Sequence, residues 1–492
     1  MVFSSIVFLY YFLPVTLALY FVCPYHYKNS ILLLCSLVFY AWGEPRNIFV
    51  MGASVCLGYG FGLLVEKYRG KRAGKIFCAV SAGISLSFLL YFKYADFLLV
   101  NLHALTGVPV TLLHAALPVG ISFYTFQMIS YTVDVYKGGA AQKNPVHLAL
   151  YITMFPQLIA GPIVRYSDIE KQLAARQHSW QLAAAGIRRF VLGLAKKVLL
   201  ADQLGELCAV FRDSQEKSVL FYWMYAVSCT FYIYYDFSGY SDMAVGLGRI
   251  FGFHLPKNFD RPFLSASMTE FWRRWHISLG SWFRDYVYIP LGGNRMGWYR
   301  QIRNIFAVWI LTGLWHGAEW NFVIWGLYFA VLLTLEKTGW MKKLLEKNRI
   351  LARMYFLFLI LISFVIFHAQ DAGQAVRDLG GLFGAGGIAG ISEEAAYYLK
   401  SYAVVLLLAA AGAVVPWHIW NGGCRKAEGW CRNQVKEFSL DMRHGEERES
   451  RWGLAGRKIY GGVEPLVVLG LLAVITAYLV NGSFQAFLYF RF

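Results

Sequence analysis

NIFAVWILTGLWHGAEWNFVIWGLYFAVLLTLE, residues 304–336, is apolar at both ends and interrupted in the middle. The interruption is Gly313-Leu-Trp-His-Gly-Ala-Glu-Trp-Asn321, where glycines, an amide and a charge break the hydrophobic run. Both flanks are basic: residues 256–303 carry eight Lys and Arg, and 337–353 carry six. In a membrane protein such flanks share the cytoplasmic side. The segment between them therefore has to enter and return. The pattern predicts a helical hairpin whose apex holds His316 within the membrane. Irregular backbone at that depth is tolerated only where it is buried in protein or lines a water-filled cavity.

The rest of the chain supports a membrane setting. Of 492 residues, 58% are hydrophobic and only 15% charged, against about 25% charged in soluble domains. A soluble globular protein is excluded on that balance. Disorder is excluded because it needs low hydrophobicity and high charge. Aromatic residues reach 17%, which suits rings at membrane interfaces and along an interior. Apolar stretches recur from 2–23 to 464–482, several too short and two too long for one span of about 20 residues. The expected fold is an all-α polytopic membrane protein of about ten to twelve helices. Some helices should be broken or re-entrant, in one membrane-embedded domain over 1–492. The N-terminal stretch lacks a basic n-region and a small-x-small cleavage site, so it reads as a span rather than a signal peptide.

Charge orients the chain. Residues 66–75 carry five basic side chains and 424–458 carry nine. The polar loops near 66–75, 254–303, 337–353 and 421–462 therefore read as cytoplasmic. Residues 371–398 carry one Arg and four acids and read as external, which puts both chain ends outside. The net charge of +17 comes with no nucleic-acid module, so the expected partner is the lipid bilayer and not nucleic acid. The eight cysteines form no C-x-x-C pair and read as small hydrophobes without a disulfide or metal role. No metal site is expected.

Ionisable groups within the membrane are the first candidates for chemistry. His316 sits between Trp315 and Gly317 at the predicted break, and an imidazole can relay a proton between a nucleophile and a leaving group. A core histidine bonded to a carbonyl is the alternative. A second cluster is Thr269-Glu-Phe-Trp-Arg-Arg-Trp-His-Ile-Ser-Leu279. Read as one helix, Trp272, Trp275, His276 and Leu279 share a face, and Arg273 and Arg274 point elsewhere. This predicts an amphipathic helix at the cytoplasmic surface. Arg273, Arg274, Arg284 and Arg295 can grip donor phosphates or anchor the helix to anionic lipid. Gln127, with Ser122, Tyr124 and Thr125, lines a polar path or bonds neighbouring helices. Residues 218–253 are expected to turn near Tyr235-Asp-Phe-Ser-Gly-Tyr-Ser-Asp242. Asp134, Asp236 and Asp242 would serve a proton relay if the chain were a transporter. No G-x-S-x-G, P-loop, H-E-x-x-H or G-x-G-x-x-G is present.

These motifs in order make the chain resemble the membrane-bound O-acyltransferase superfamily. It is most similar to the bacterial branch of alginate and peptidoglycan O-acetylation and teichoic acid D-alanylation. The resemblance runs from Val2–Leu9 and Asn29–Trp42 through Leu117–Gln127, Phe155–Ile163 and Tyr235–Asp242. It continues through Phe271-Trp-Arg-Arg-Trp-His276 and Leu314-Trp-His-Gly-Ala318 to Phe487–Phe492. It implies transfer of an acyl group, here acetyl, from a cytoplasmic donor such as acetyl-CoA or an acyl carrier protein. The acceptor would be a cell-envelope polysaccharide, with no bound cofactor. It implies that His316 is catalytic in a central tunnel and that His276 is a second catalytic residue nearer the cytoplasm. Beside the two histidines, Arg273, Arg274, Trp275, Arg284, Trp315 and Gln127 are the candidate substrate or donor contacts read from the residues themselves. A separate extracytoplasmic acyltransferase is an implied partner, and the cytoplasmic membrane the implied location. D-alanyl transfer to teichoic acid and non-catalytic polysaccharide or lipid transport are the alternatives.

Overall fold

The computed structural model describes residues 1–414 and 451–482, with side chains in the last segment from Val463 onward. Cys424, Cys431, most of the expected loop near 421–462 and the Phe487–Phe492 motif lie outside the described residues. All regular structure among the described residues is helical. The chain opens with α1 (Leu13–Val22), α2 (Lys28–Gly43) and α3 (Ile48–Lys67). A continuous helix, Arg72–Thr106, follows. It comprises α4 (Arg72–Leu89), a π-helical turn at Leu90–Tyr94, and α5 (Ala95–Thr106). Next come α6 (Ile121–Tyr136), α7 (Pro145–Thr153), the short α8 (Phe155–Leu158) and α9 (Tyr166–Ala174). A π turn at Lys196–Ala201 joins α10 (Trp180–Ala195) to α11 (Asp202–Asp213), and α12 spans Val219–Ile250. The second half holds α13 (Met268–Arg274), α14 (Ile277–Phe283), α15 (Trp298–His316) and α16 (Trp320–Leu335). It closes with α17 (Gly339–Lys347), α18 (Arg349–His368), α19 (Ala372–Leu382), α20 (Glu393–Val414) and α21 (Arg451–Asn481).

Five helices among the described residues are long and apolar enough to cross a membrane, or six if the bent pair α16–α17 counts as one. That is fewer than the ten to twelve expected. The remaining candidates are shorter than a span, as α1 and α16 are, or carry charge within the helix, as α12 and the arginine-bearing start of α15 do.

The expected turn within 218–253 is absent. α12 is one helix of 32 residues, about 48 Å long at 1.5 Å per residue. Its two acids do not mark a turn; each meets cations on the neighbouring strand of chain. Asp236 pairs with buried Lys197 at 2.7 Å, and Lys197 also meets Asp202 at 2.7 Å. Asp242 pairs with Lys196 at 2.6 Å and Arg189 at 2.9 Å. These partners satisfy charges that burial would otherwise penalise heavily. Glycine allows the approach. A Cβ on Gly186 would lie 2.6 Å from the Gly246 carbonyl oxygen, and one on Gly193 2.5 Å from that of Gly239. Small residues at such contacts let helix backbones pack closely where lipid removes the usual hydrophobic drive.

Contacts sort the loops into two ends. At the basic end Glu66 accepts from the Ala141 amide, Tyr286 donates to Asp134, and Arg165 pairs with Asp285. At the other end the Val219 and Leu220 amides donate to the carbonyls of Ala389 and Gly390, and Ser214 donates to Glu394.

Candidate active site

The hairpin predicted over 304–336 is present. α15 ends at His316, Gly317–Glu319 break the helix, and α16 returns. The two arms pack backbone to backbone: a Cβ on Gly313 would sit 2.3 Å from the Phe322 carbonyl oxygen, and one on Gly326 2.4 Å from that of Trp309. His316 is buried. Its ring meets Trp325 and Phe367, each with centroids 5.1 Å away, and Trp315 at 4.8 Å. Glu319, at the foot of α16, is exposed.

The second cluster departs from the expected single surface helix. α13 stops at Arg274, Trp275 is extended, and His276 takes a left-handed conformation at φ 45°, ψ 51° before α14 begins. That conformation is costly for a residue with a Cβ, and such strain gathers at functional sites. The segment is also not superficial, since Phe271, Trp275 and His276 are all buried. The cause is aromatic packing: Trp275 stacks on Phe271 and meets Phe259 edge-on, and His276 meets Phe237 at 4.6 Å.

Asn258 holds His276 in place. Its Oδ1 accepts from the Ser278 hydroxyl at 2.9 Å and the Ser278 amide at 3.2 Å, and lies 3.2 Å from His276 Nδ1. The amide contact requires an acceptor there, so the oxygen faces His276. A neutral His276 therefore carries its proton on Nδ1 and presents a lone pair at Nε2. Nε2 is buried with no hydrogen-bond partner.

Each histidine lines a different cavity. One, of about 550 Å³, is lined by His276 together with Arg273, Arg284 and Lys337. The other, of about 70 Å³, is lined by His316, Trp315, Lys93 and the segment Leu117–Phe123 that opens α6. The Trp315 ring contacts both histidine rings, with its centroid 5.8 Å from that of His276 and 4.8 Å from that of His316. α6 braces Trp315, with Phe126 stacked on it at 5.7 Å and Phe123 edge-on at 5.5 Å.

Of the residues singled out in the sequence, His316 and Trp315 line one cavity and His276, Arg273 and Arg284 the other. Arg274 does not join them; it pairs with Glu270 at 2.8 Å. Trp275 is committed to the aromatic core, and Gln127 is buried in α6 outside both linings. Arg295 is exposed and in neither lining. Ser122 does reach the smaller cavity. Arg284 holds Asp285 through two hydrogen bonds, of 2.6 and 3.1 Å. Those bonds, with Arg165 adding to them against partial burial, keep the Asp285 carboxyl below the usual carboxylate range. The relay carboxylates are engaged: Asp236 and Asp242 in ion pairs, Asp134 by the Tyr286 hydroxyl at 2.7 Å. No group of three or more His, Cys, Asp or Glu side chains is arranged for a metal among the described residues.

Two residues escaped the sequence reading. Lys93 is one of two charges, with Asp96, in the apolar stretch 76–98, a signal that was present. Asn258 lies in a polar loop, where nothing distinguishes it from its neighbours.

Comparison with known proteins gives the family context. Residues 86–370 match the sequence model of the membrane-bound O-acyltransferase family, MBOAT. The chain is 37% identical over 504 positions to "Probable alginate O-acetylase AlgI" of Azotobacter vinelandii, covering all of both chains. It is 32% identical over 439 residues to the peptidoglycan O-acetyltransferase of Helicobacter pylori, covering 81% of this chain and 83% of that one. It is 32% identical over 277 residues to the teichoic acid D-alanyltransferase of Bacillus subtilis, covering 51% of this chain and 68% of that one.

Proposed function

The chain belongs to the membrane-bound O-acyltransferase family and is a multi-pass membrane O-acyltransferase of polysaccharide modification; from that premise we propose that it moves acetyl groups across the cytoplasmic membrane. The donor is a cytoplasmic thioester, acetyl-CoA or an acyl carrier protein. The acceptor is a cell-envelope polysaccharide, reached with the help of a separate extracytoplasmic acyltransferase.

One observation carries this reading: two histidines, each in the wall of its own cavity, both contact a single tryptophan ring. The larger cavity has Arg273, Arg284 and Lys337 in its wall, cations suited to donor phosphates or to an acidic carrier. Its basic loops belong to the cytoplasmic side. The thioester enters here and its carbonyl reaches His276 and Trp315. An acceptor hydroxyl enters the smaller cavity beside His316. Its oxygen bonds to the acyl carbon, its proton passes to His316, and the carbon–sulfur bond breaks. The thiolate leaves on the cytoplasmic side and takes up that proton. The aromatic wall excludes bulk water, which would otherwise hydrolyse the acyl group.

Mass spectrometry of the envelope polymers from cells with and without the protein tests this. Loss of O-acetyl esters is expected. Loss of alanyl esters instead would transfer the reading to D-alanylation, and unchanged esters would overturn it.

A further inference from the structure

The C-terminal end of α15 carries His316 and has no following turn. The last carbonyls of any helix lack intrahelical donors. Here the Gly317 amide donates to Gly313, and the next three carbonyls are met from another helix. The Tyr94 hydroxyl donates to the Leu314 carbonyl. The Lys93 ammonium donates to the Trp315 carbonyl at 2.6 Å and to that of His316 at 3.2 Å. Two consecutive residues thus serve three consecutive carbonyls.

The π-helical turn at Leu90–Tyr94 makes this possible. In a π turn the extra residue rotates adjacent side chains relative to an α-helix, a device that recurs at functional sites. A cation is also the favoured partner of a helix C-terminus, where the carbonyl dipoles leave partial negative charge. A lysine inside a membrane helix is expensive to keep. An uncharged helix end would be served by simpler means, such as a glycine cap. Lys93 moreover lines the same cavity as Trp315 and His316, so its charge stands at the place where acceptor and acyl group meet.

We propose that Lys93, with Tyr94, is a positioning device for His316: it fixes the break after α15 and so sets the approach of the imidazole and the Trp315 ring to the two cavities. This rests on the reading of His316 as the base. Its effect is exerted in the transfer step and not in donor capture, because Lys93 lines the cavity of His316 and is absent from the lining of the cavity that holds His276. A displacement of about 1 Å at a reacting group costs up to about 100-fold in rate.

Membrane vesicles with equal amounts of each variant, supplied with radiolabelled acetyl-CoA, test the proposal by label in alkali-labile esters of the envelope polymer. Lys93→Met should lower the maximal rate about 10- to 100-fold, with KM for acetyl-CoA within about twofold of wild type. Lys93→Arg, which keeps a cation, should recover part of that rate. A merely structural cap would reduce the amount of folded protein and leave turnover per folded molecule unchanged, and that result would overturn the proposal. So would a raised KM with an unchanged maximal rate. Should Lys93→Met not accumulate, Tyr94→Phe removes one donor from the same cap, and a wild-type maximal rate in that variant would overturn it. His316→Ala in parallel separates the two readings. Full activity there removes the base itself, whereas an inactive His316→Ala beside a fully active Lys93→Met removes only the positioning role.

Discussion

His316 and His276 have unlike surroundings, and their variants should differ accordingly. His316 is enclosed by aromatic rings and reached from the smaller cavity. His316→Ala should still insert in the membrane and lose transfer by about 10²–10⁴-fold, the usual cost of a general base. Near-normal acetylation at equal expression would remove it from the mechanism. His276 is held through Nδ1 by Asn258 and lines the larger cavity. His276→Gln keeps one donor and one acceptor, and should lose activity if Nε2 acts on the donor. Full activity in His276→Gln would assign His276 to structure alone and leave His316 as the only base.

At the scale of elements, two helix contacts depend on absent side chains. The α15–α16 hairpin closes only because Gly313 and Gly326 face backbone at under 2.5 Å from any added Cβ. Backbone cannot yield as a flexible side chain would, so the arms have to separate. Gly313→Ala should destabilise the protein by about 1–3 kcal/mol, as overpacking does. It should also impair transfer, because His316 is three residues away on the same arm. Thermal unfolding in detergent, with the ester assay beside it, measures both; an unchanged midpoint would refute the packing argument. The α10–α12 contact has the same basis, with two glycines in each helix seven residues apart. Its ion pairs, Lys197 with Asp236 and Lys196 with Asp242, explain why so polar a helix as α12 tolerates burial.

For the whole molecule, the decisive property is the separation of two ends. Residues 66–69, 134–141, 165 and 285 are tied together at one end, and 214–220 with 389–394 at the other. The basic end should face the cytoplasm. In a background lacking accessible native cysteines, an impermeant thiol reagent should label Gly390→Cys in intact cells and should label Lys71→Cys only after lysis. Both positions are exposed. The reverse pattern would invert the orientation and with it the assignment of the two cavities to donor and acceptor.

Composition and periodicity were enough for the membrane class, the helical content and the helical hairpin with His316 at its break. Those follow from local facts: an apolar run, a polar interruption and the sign of the flanking charge. The motifs in order were enough for the family. Other features needed tertiary structure. A continuous α12 was hidden because Asp236 and Asp242 look like a turn until Lys197, Lys196 and Arg189 are brought beside them. The left-handed His276 was hidden because Phe271-Trp-Arg-Arg-Trp-His276 has helical periodicity, and only packing against Phe237, Phe259 and Asn258 breaks it. Arg274 and Trp275 resembled donor contacts in the sequence, but Glu270 and the aromatic core claim them. Lys93 lies 223 residues from His316, and no local pattern joins them. Their meeting depends on a π turn in one helix and a broken end in another, and long-range packing decides both.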